Sequence, residues 1–192
     1  MEKQDKKMYV PTHLGIMHGS SPLLRERAHE VDITGQDGKF TIPDDVKRLS
    51  DAMIQVMRRN GGVGIAAPQV GFQCRMISIR SEDGYLTLIN PVVTPLSSEM
   101  VDSAEACLSI PGVRAKVKRN EMVRVEGVNI HGDHVVMDEV SGLYATVFQH
   151  EADHLNGILF IDRMNEFYMN LNKNKLRGLK ITALPERVNG FA

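Results

Sequence analysis

Two imidazoles and a carboxylate sit at fixed intervals in the run Phe148-Gln149-His150-Glu151-Ala152-Asp153-His154-Leu155-Asn156-Gly157. On a helix, residues four apart face the same way, so His150 and His154 share one side with Glu151 beside them. This is the His-Glu-x-x-His arrangement, in which two histidines bind a metal ion and the glutamate moves protons for a bound water. Three fixed positions recur by chance in unrelated helices, so the surroundings must decide. The bland alternative is a pair of hydrogen-bonded core histidines, with Glu151 paired to a cation.

The helix that carries them is legible in its periodicity. At steps of three or four the stripe reads Leu143, Val147, His150, Glu151, His154 and Ile158, so the ligand face is also the apolar face and should point inward. Burying two histidines and a glutamate without partners is costly, and a metal ion is the simplest partner. Ser141 is placed as the N-cap, Asp138 and Glu139 lie near the positive helix end, and Gly157 fits the stop.

The 192 residues suit one domain, 1–192, with a sizeable core. A 42% hydrophobic, 24% charged chain of net charge -1 does not advertise nucleic acid as a partner, and DNA binding is not expected. The opening Met1 to Lys7 is polar, and no apolar run approaches the ~18 residues needed to span a bilayer. The expectation is a cytoplasmic protein without membrane attachment. Two cysteines, Cys74 and Cys107, cannot make a disulfide framework, so each is a buried thiol, a ligand or a nucleophile.

In chain order, Ser21 to Arg27 predicts a short helix capped by Ser21 with Pro22 at its first position. Residues 43–59 predict a longer one, with Val46, Leu49, Met53, Val56 and Met57 on its inner side and Asn60-Gly61-Gly62 ending it. The small-residue stretch Gly61 to Gly71 allows close approach of another chain or ligand, and lacks the Lys-Ser/Thr of a phosphate loop. Gln69 is the polar side chain in it that could donate a hydrogen bond. Arg75–Ile79 and Tyr85–Ile89 read as a hairpin, and Cys74 beside them as a small apolar residue. Further strands are expected at 114–118, 123–128 and 135–138, the last two joined at Gly132-Asp133. Ile158 to Asp162 reads as a short apolar strand. His131 and His134 read as exposed turn residues, and His13, His18 and His29 belong to no cluster.

Cys107 lies just before the Pro111-Gly112 turn and is the leading candidate for a third metal ligand. The metzincin continuation is excluded, because Gly157 is present but Phe160 stands where its third histidine would be. A downstream glutamate would have to be Glu166 or Glu186, both in ordinary polar context. The tail, 164–192, is expected to be partly helical. It carries Lys173, Lys175, Arg177, Lys180 and Arg187 against Glu166 and Glu186; that excess reads as a solvated face, with docking on RNA or an acidic partner as the alternative.

Three separated motifs together resemble the peptide deformylases: Gly62-Val63-Gly64-Ile65-Ala66-Ala67-Pro68-Gln69, then Glu105-Ala106-Cys107-Leu108-Ser109, then Gln149 to His154. The similarity runs over residues 10–163, and Ile110-Pro111-Gly112 resembles the bacterial and organellar class. One position departs: Ala106 stands where the family has Gly. If that backbone needs a positive φ or a close neighbour, the added carbon costs on the order of 1 kcal/mol or more and could shift the thiolate or the Leu108 N–H.

The resemblance implies an α+β fold, antiparallel sheets packed around a central metal-binding helix with an N-terminal helical segment. It implies removal of the N-formyl group from the initiator methionine of new polypeptides, releasing formate. Cys107, His150 and His154 would hold one divalent ion and leave a position for water. Fe(II) is expected natively, with Zn, Ni or Co accepted. Glu151 would move the proton, with the Leu108 N–H and Gln69 amide facing the oxyanion. Val63 and Gly64 look like backbone partners for the peptide, Leu143 and Val147 like the methionine pocket, Arg114 like an additional contact and Glu105 like a support for a ligand. The expected partners are N-formylmethionyl peptides, and the basic tail could meet the ribosome. Two other readings stay open: a metal-dependent peptidase, and a deformylase-like paralogue whose activity is weakened or lost.

Overall fold

Hydrophobic residues on alternate positions and at helical spacing sort this chain into a sheet sandwiched between two helices, as a computed structural model describing residues 8–189 shows. Pro22–Arg25 forms a single 3-10 turn, preceded by Ser21 without a side-chain cap. A hairpin of β1 (Thr34–Gln36) and β2 (Lys39–Thr41) leads into α1 (Asp44–Arg59), whose Leu49, Met53 and Met57 are fully buried. Then come β3 (Gly64–Ala66), a 3-10 turn at Ala67–Val70, β4 (Met76–Ser81) and β5 (Gly84–Pro95). The chain continues through β6 (Met100–Cys107), β7 (Ile110–Asn120), β8 (Met122–Asn129) and β9 (His134–Ser141). It ends in α2 (Gly142–Leu155), α3 (Glu166–Gly178) and the short α4 (Glu186–Asn189).

The five-stranded sheet is antiparallel throughout, in the order β3-β4-β5-β8-β9, and β6-β7 form a separate antiparallel pair. Successive strand residues point to opposite faces. Ile77, Ile79, Leu88, Val123 and Val125 therefore pack on α2, while Ile65, Met76 and Ile89 pack on α1. Three hydroxyls lie buried on the α1 side, where Thr87 bonds Ser50 at 2.7 Å and Ser78 at 2.8 Å, so none is left without a partner. A third apolar cluster gathers Leu24, Ile110, Val113, Phe160, Leu176 and Ile181 around the turn that follows Cys107. No helix among the described residues is long and apolar enough to cross a membrane.

Three further expectations need correction, besides the Ser21 cap. Ile158 to Asp162 is not a strand: Phe160–Arg163 closes a 3-10 turn in which the Asp162 carboxylate accepts the Leu159 N–H at 2.8 Å. The ligand helix has no single inward stripe. From Ala145 to Leu155 nearly every residue is buried, because sheets and turns surround it, while Leu143 at its open end is 65% exposed. Ser141 precedes the helix but makes no side-chain cap. Gly157 stops it as expected, with φ 72°, and the Ile158 and Gly157 amides close back on Asp153 and His154 carbonyls at 2.9 and 3.2 Å. The polar opening, Met1 to Lys7, and residues 190–192 of the tail lie outside the described residues.

Candidate metal centre

Strand β6 lies against α2, and the two periodicities match. Residues two apart on a strand are separated by roughly 6.7 Å, and residues four apart on a helix by roughly 6 Å. Glu105 and Cys107 of β6 therefore meet His150 and His154 of α2 in turn: Glu105 Oε2 lies 2.7 Å from His150 Nδ1, and Cys107 Sγ 3.3 Å from His154 Nε2. All four side chains are buried. Among the described residues, Cys107, His150 and His154 form a group whose donor atoms lie within 4.8 Å of one another.

These residues fit a tetrahedral ion. Two donors on such an ion, one sulfur and one nitrogen, lie roughly 3.5 Å apart, close to the Cys107–His154 separation. His150 has its Nδ1 engaged by Glu105, which leaves Nε2 to face Cys107. Glu151 Oε2, beside these donors, is buried without a hydrogen-bond partner, as a carboxylate oxygen that awaits a metal-bound water would be.

Burial sets the protonation of this cluster. It pushes the Glu151 carboxyl up to about 7, well into the range of a group that both takes and gives a proton near neutrality. It also lowers His154 far below the usual imidazole range, helped by the charge of His150. For His150 burial acts the same way, but the hydrogen bonds its ring donates to Cys107 and Glu105 outweigh it and raise the ring well above its ordinary value. For Glu105 burial would raise the carboxyl, yet bonds to His150 and Arg119 hold it at about 2.

Arg119 was not among the residues singled out from the sequence, and it organises the buried charge. Only 1% exposed, it donates to Glu105 at 2.6 and 3.0 Å and to Asp153 at 2.6 Å. Asp153 also accepts two bonds from Arg163, both at 2.6 Å. A signal was present: Val113, Ala115 and Val117 alternate on the inner face of β7, and position 119 continues that face. Asp153, inside the helix motif itself, is the buried carboxylate that such an arginine needs.

The centre lies at the inner end of a cavity of about 350 Å³. One wall is the glycine loop. Gly64 is required there by close approach, since a side-chain carbon would meet the Glu151 carboxylate and lie 2.8 Å from Val147 Cγ1. The Val63 carbonyl accepts the Arg80 N–H at 2.9 Å, tying the loop to β4. Gln69, 1% exposed, accepts the Ala66 N–H through Oε1 at 2.9 Å. That bond fixes its amide so that Nε2 points at Cys107 Sγ, 3.5 Å away, and at Ser109 Oγ, 3.3 Å away. Ser109 is a second residue that sequence reasoning did not single out.

Leu108, Val147, Leu143 and Arg114 all line the same cavity, Val147 buried and Leu143 and Arg114 exposed near its mouth. Ala106 lines it too, exposed, and its φ is not in the left-handed region. A positive-φ cost at Ala106 is therefore absent. His13, His18, His29, His131 and His134 are all exposed and take no part in the centre, as expected. Glu166 is exposed in the first turn of α3 and Glu186 exposed in α4.

The family model for polypeptide deformylase matches residues 14–170. A peptide deformylase of Parafrankia is 45% identical over 134 residues, covering 69% of this chain and 73% of the relative. That of Desulforudis audaxviator is 40% identical over 154 residues, covering 80% of this chain and 94% of the relative. Among solved structures, a plant peptide deformylase superposes with a TM-score of 0.80 at 32% identity, over 90% of this chain and 91% of the plant chain. A peptide deformylase from Synechococcus elongatus in complex with actinonin gives 0.77 at 34% identity, over 92% and 91%. With a matching sequence profile, the same fold and a Cys-His-His donor set in one buried cleft, this chain belongs to the polypeptide deformylase family.

Proposed function

We propose that the chain hydrolyses the formamide at the amino terminus of formylmethionyl peptides, releasing formate and a free amine, with the residue roles that follow. The observation that carries them is the meeting of three metal donors and the buried Glu151 carboxyl at the inner end of an open cavity. A divalent ion held by Cys107, His150 and His154 supplies Lewis acidity, which brings the pKa of a hydrolytic water down to near neutrality. Fe(II) is the natural ion in this proposal, and Zn, Ni and Co suit the same donors.

Glu151 removes the proton of the attacking water and returns it to the departing amine nitrogen, a double duty suited to a carboxyl whose proton affinity burial raises. The Gln69 amide, aimed by Ala66, and the Leu108 N–H hold the oxygen of the formyl group as it becomes negative. Glu105 keeps His150 in the tautomer that presents Nε2. Val63 and Gly64, at the free edge of the five-stranded sheet, take the extended peptide through backbone bonds. Leu143 and Val147 wall the methionine side chain, and Arg114 meets the peptide further out. The whole chain acts as one catalytic domain: Leu176 and Ile181 of the tail pack with Ile110 beside the Cys107 turn. The exposed Lys173, Arg177 and Lys180 on and after α3 are the surface proposed to face the ribosome, in the cytoplasm.

The test is formate release from formyl-Met-Ala-Ser by anaerobically purified protein. Glu151→Ala is expected to abolish turnover while metal stays bound. Full turnover by that variant would remove Glu151 from the proton path, and cleavage of internal bonds in unformylated peptides would replace the reading with that of a peptidase.

A further inference from the structure

The pairing of β6 with α2 has a rung that the metal chemistry does not use. One step back on the strand and one turn back on the helix, Ser103 Oγ lies 2.8 Å from Thr146 Oγ1. Thr146 is 9% exposed and lines the cavity between Leu143, Val147 and His150; Ser103 does not line it. Threonine carries a hydroxyl and a methyl on one carbon, and in a helix it divides between two rotamers, each of which turns a different side of that carbon toward the cavity. Which of the two faces the cavity depends on what holds the hydroxyl. In this protein that partner is Ser103.

We propose that Ser103 and Thr146 determine side-chain specificity: the hydroxyl pair turns the threonine oxygen away from the cavity, so the wall beside His150 offers a methyl to the first side chain of the substrate. The wall is thereby apolar although its residue is not. This rests on the formyl-peptide reading above. A polar first side chain would find no hydrogen-bond partner at that wall and would lose its water, whereas an unbranched apolar one would not.

The experiment compares kcat/KM for formyl-norleucine-Ala-Ser with that for formyl-glutamine-Ala-Ser, two substrates of similar length and opposite polarity. In Ser103→Ala the threonine oxygen is released toward the cavity, and the preference for norleucine is expected to fall about tenfold. In Thr146→Val both branches are methyls, so the preference is expected to stay at the wild-type level or rise, and Ser103→Ala/Thr146→Val is expected to restore it. The hydrogen bond is lost in all three variants, so a purely structural role predicts the same change in each. An unchanged preference in Ser103→Ala, or a fall in Thr146→Val matching it, overturns the proposal while wild-type turnover stands. Wild-type protein that releases no formate from either substrate overturns the functional reading and this one with it.

Discussion

Arg119 grips Glu105 with two nitrogens, Nε at 2.6 Å and Nη2 at 3.0 Å, where both side chains are buried. Glu105 in turn fixes His150, and the third arm of Arg119 fixes Asp153, the residue before His154. One guanidinium thus braces both metal-binding histidines from behind. Replacing it with Met leaves two carboxylates buried beside a ring, an arrangement that costs about 3–5 kcal/mol when one partner of a buried pair is removed. Metal affinity is expected to fall about 10- to 100-fold as the support of His150 loosens. Urea melts and competition for metal against a chelator measure the two effects. A variant as stable as wild type would show that the carboxylates find other partners.

Gly64→Ala is expected to damage turnover without unfolding the protein. The added carbon falls on the Glu151 carboxylate and Val147, and either can move only by shifting the proton-transfer group. A displacement of that kind costs on the order of a hundredfold in kcat/KM. Retention of full formate release would mean that Glu151 works from a different rotamer.

Ala106→Gly is expected to change kcat/KM by less than about twofold, because the alanine occupies an exposed strand position without positive φ. The same change should lower stability by about 0.5–1 kcal/mol, the usual cost of glycine in a strand. A large gain in turnover would restore the idea that the methyl hinders the site.

Cys74 is half-buried against the α1 cluster, and its reactivity should reflect that cover. Burial pushes its thiol up from 9.0 to about 12. The folded state then binds the proton more tightly than the unfolded state, so this contribution is whole below 9.0 and is lost as pH rises from there toward about 12. The stability advantage of wild type over Cys74→Ala is expected to be flat at lower pH and to shrink above 9.0. A difference that stays constant through that window would refute the shift. Near neutral pH, iodoacetamide should leave Cys74 unmodified until the chain is unfolded.

The parts of this protein legible in its sequence are those whose chemistry and periodicity coincide. α1 and the β4–β5 hairpin announce themselves by apolar spacing, and the ligand helix by His150, Glu151 and His154. Strand β6 was hidden beyond the Cys107 motif because its inner face carries Ser103 and Glu105 ahead of Cys107, and a hydrophobic pattern counts neither. Arg119 was hidden for the converse reason: a charge on an otherwise apolar face reads as an exposed residue until its two carboxylates are in place. Ile158 to Asp162 misled because short apolar runs fit a strand or a turn equally, and the local bond from Leu159 to Asp162 decided for the turn.

The pairing of β6 with α2 also bounds how large such a centre can grow. A strand and a helix laid together act as a vernier, two rulers of unequal graduation, and here the mismatch is roughly 0.7 Å per step. Three marks, at residues 103, 105 and 107 against 146, 150 and 154, stay within reach of one another before the scales drift out of phase. Glu151 joins them only because it neighbours His150 on the helix, and a group from neither element must come from another part of the chain, as Gln69 does.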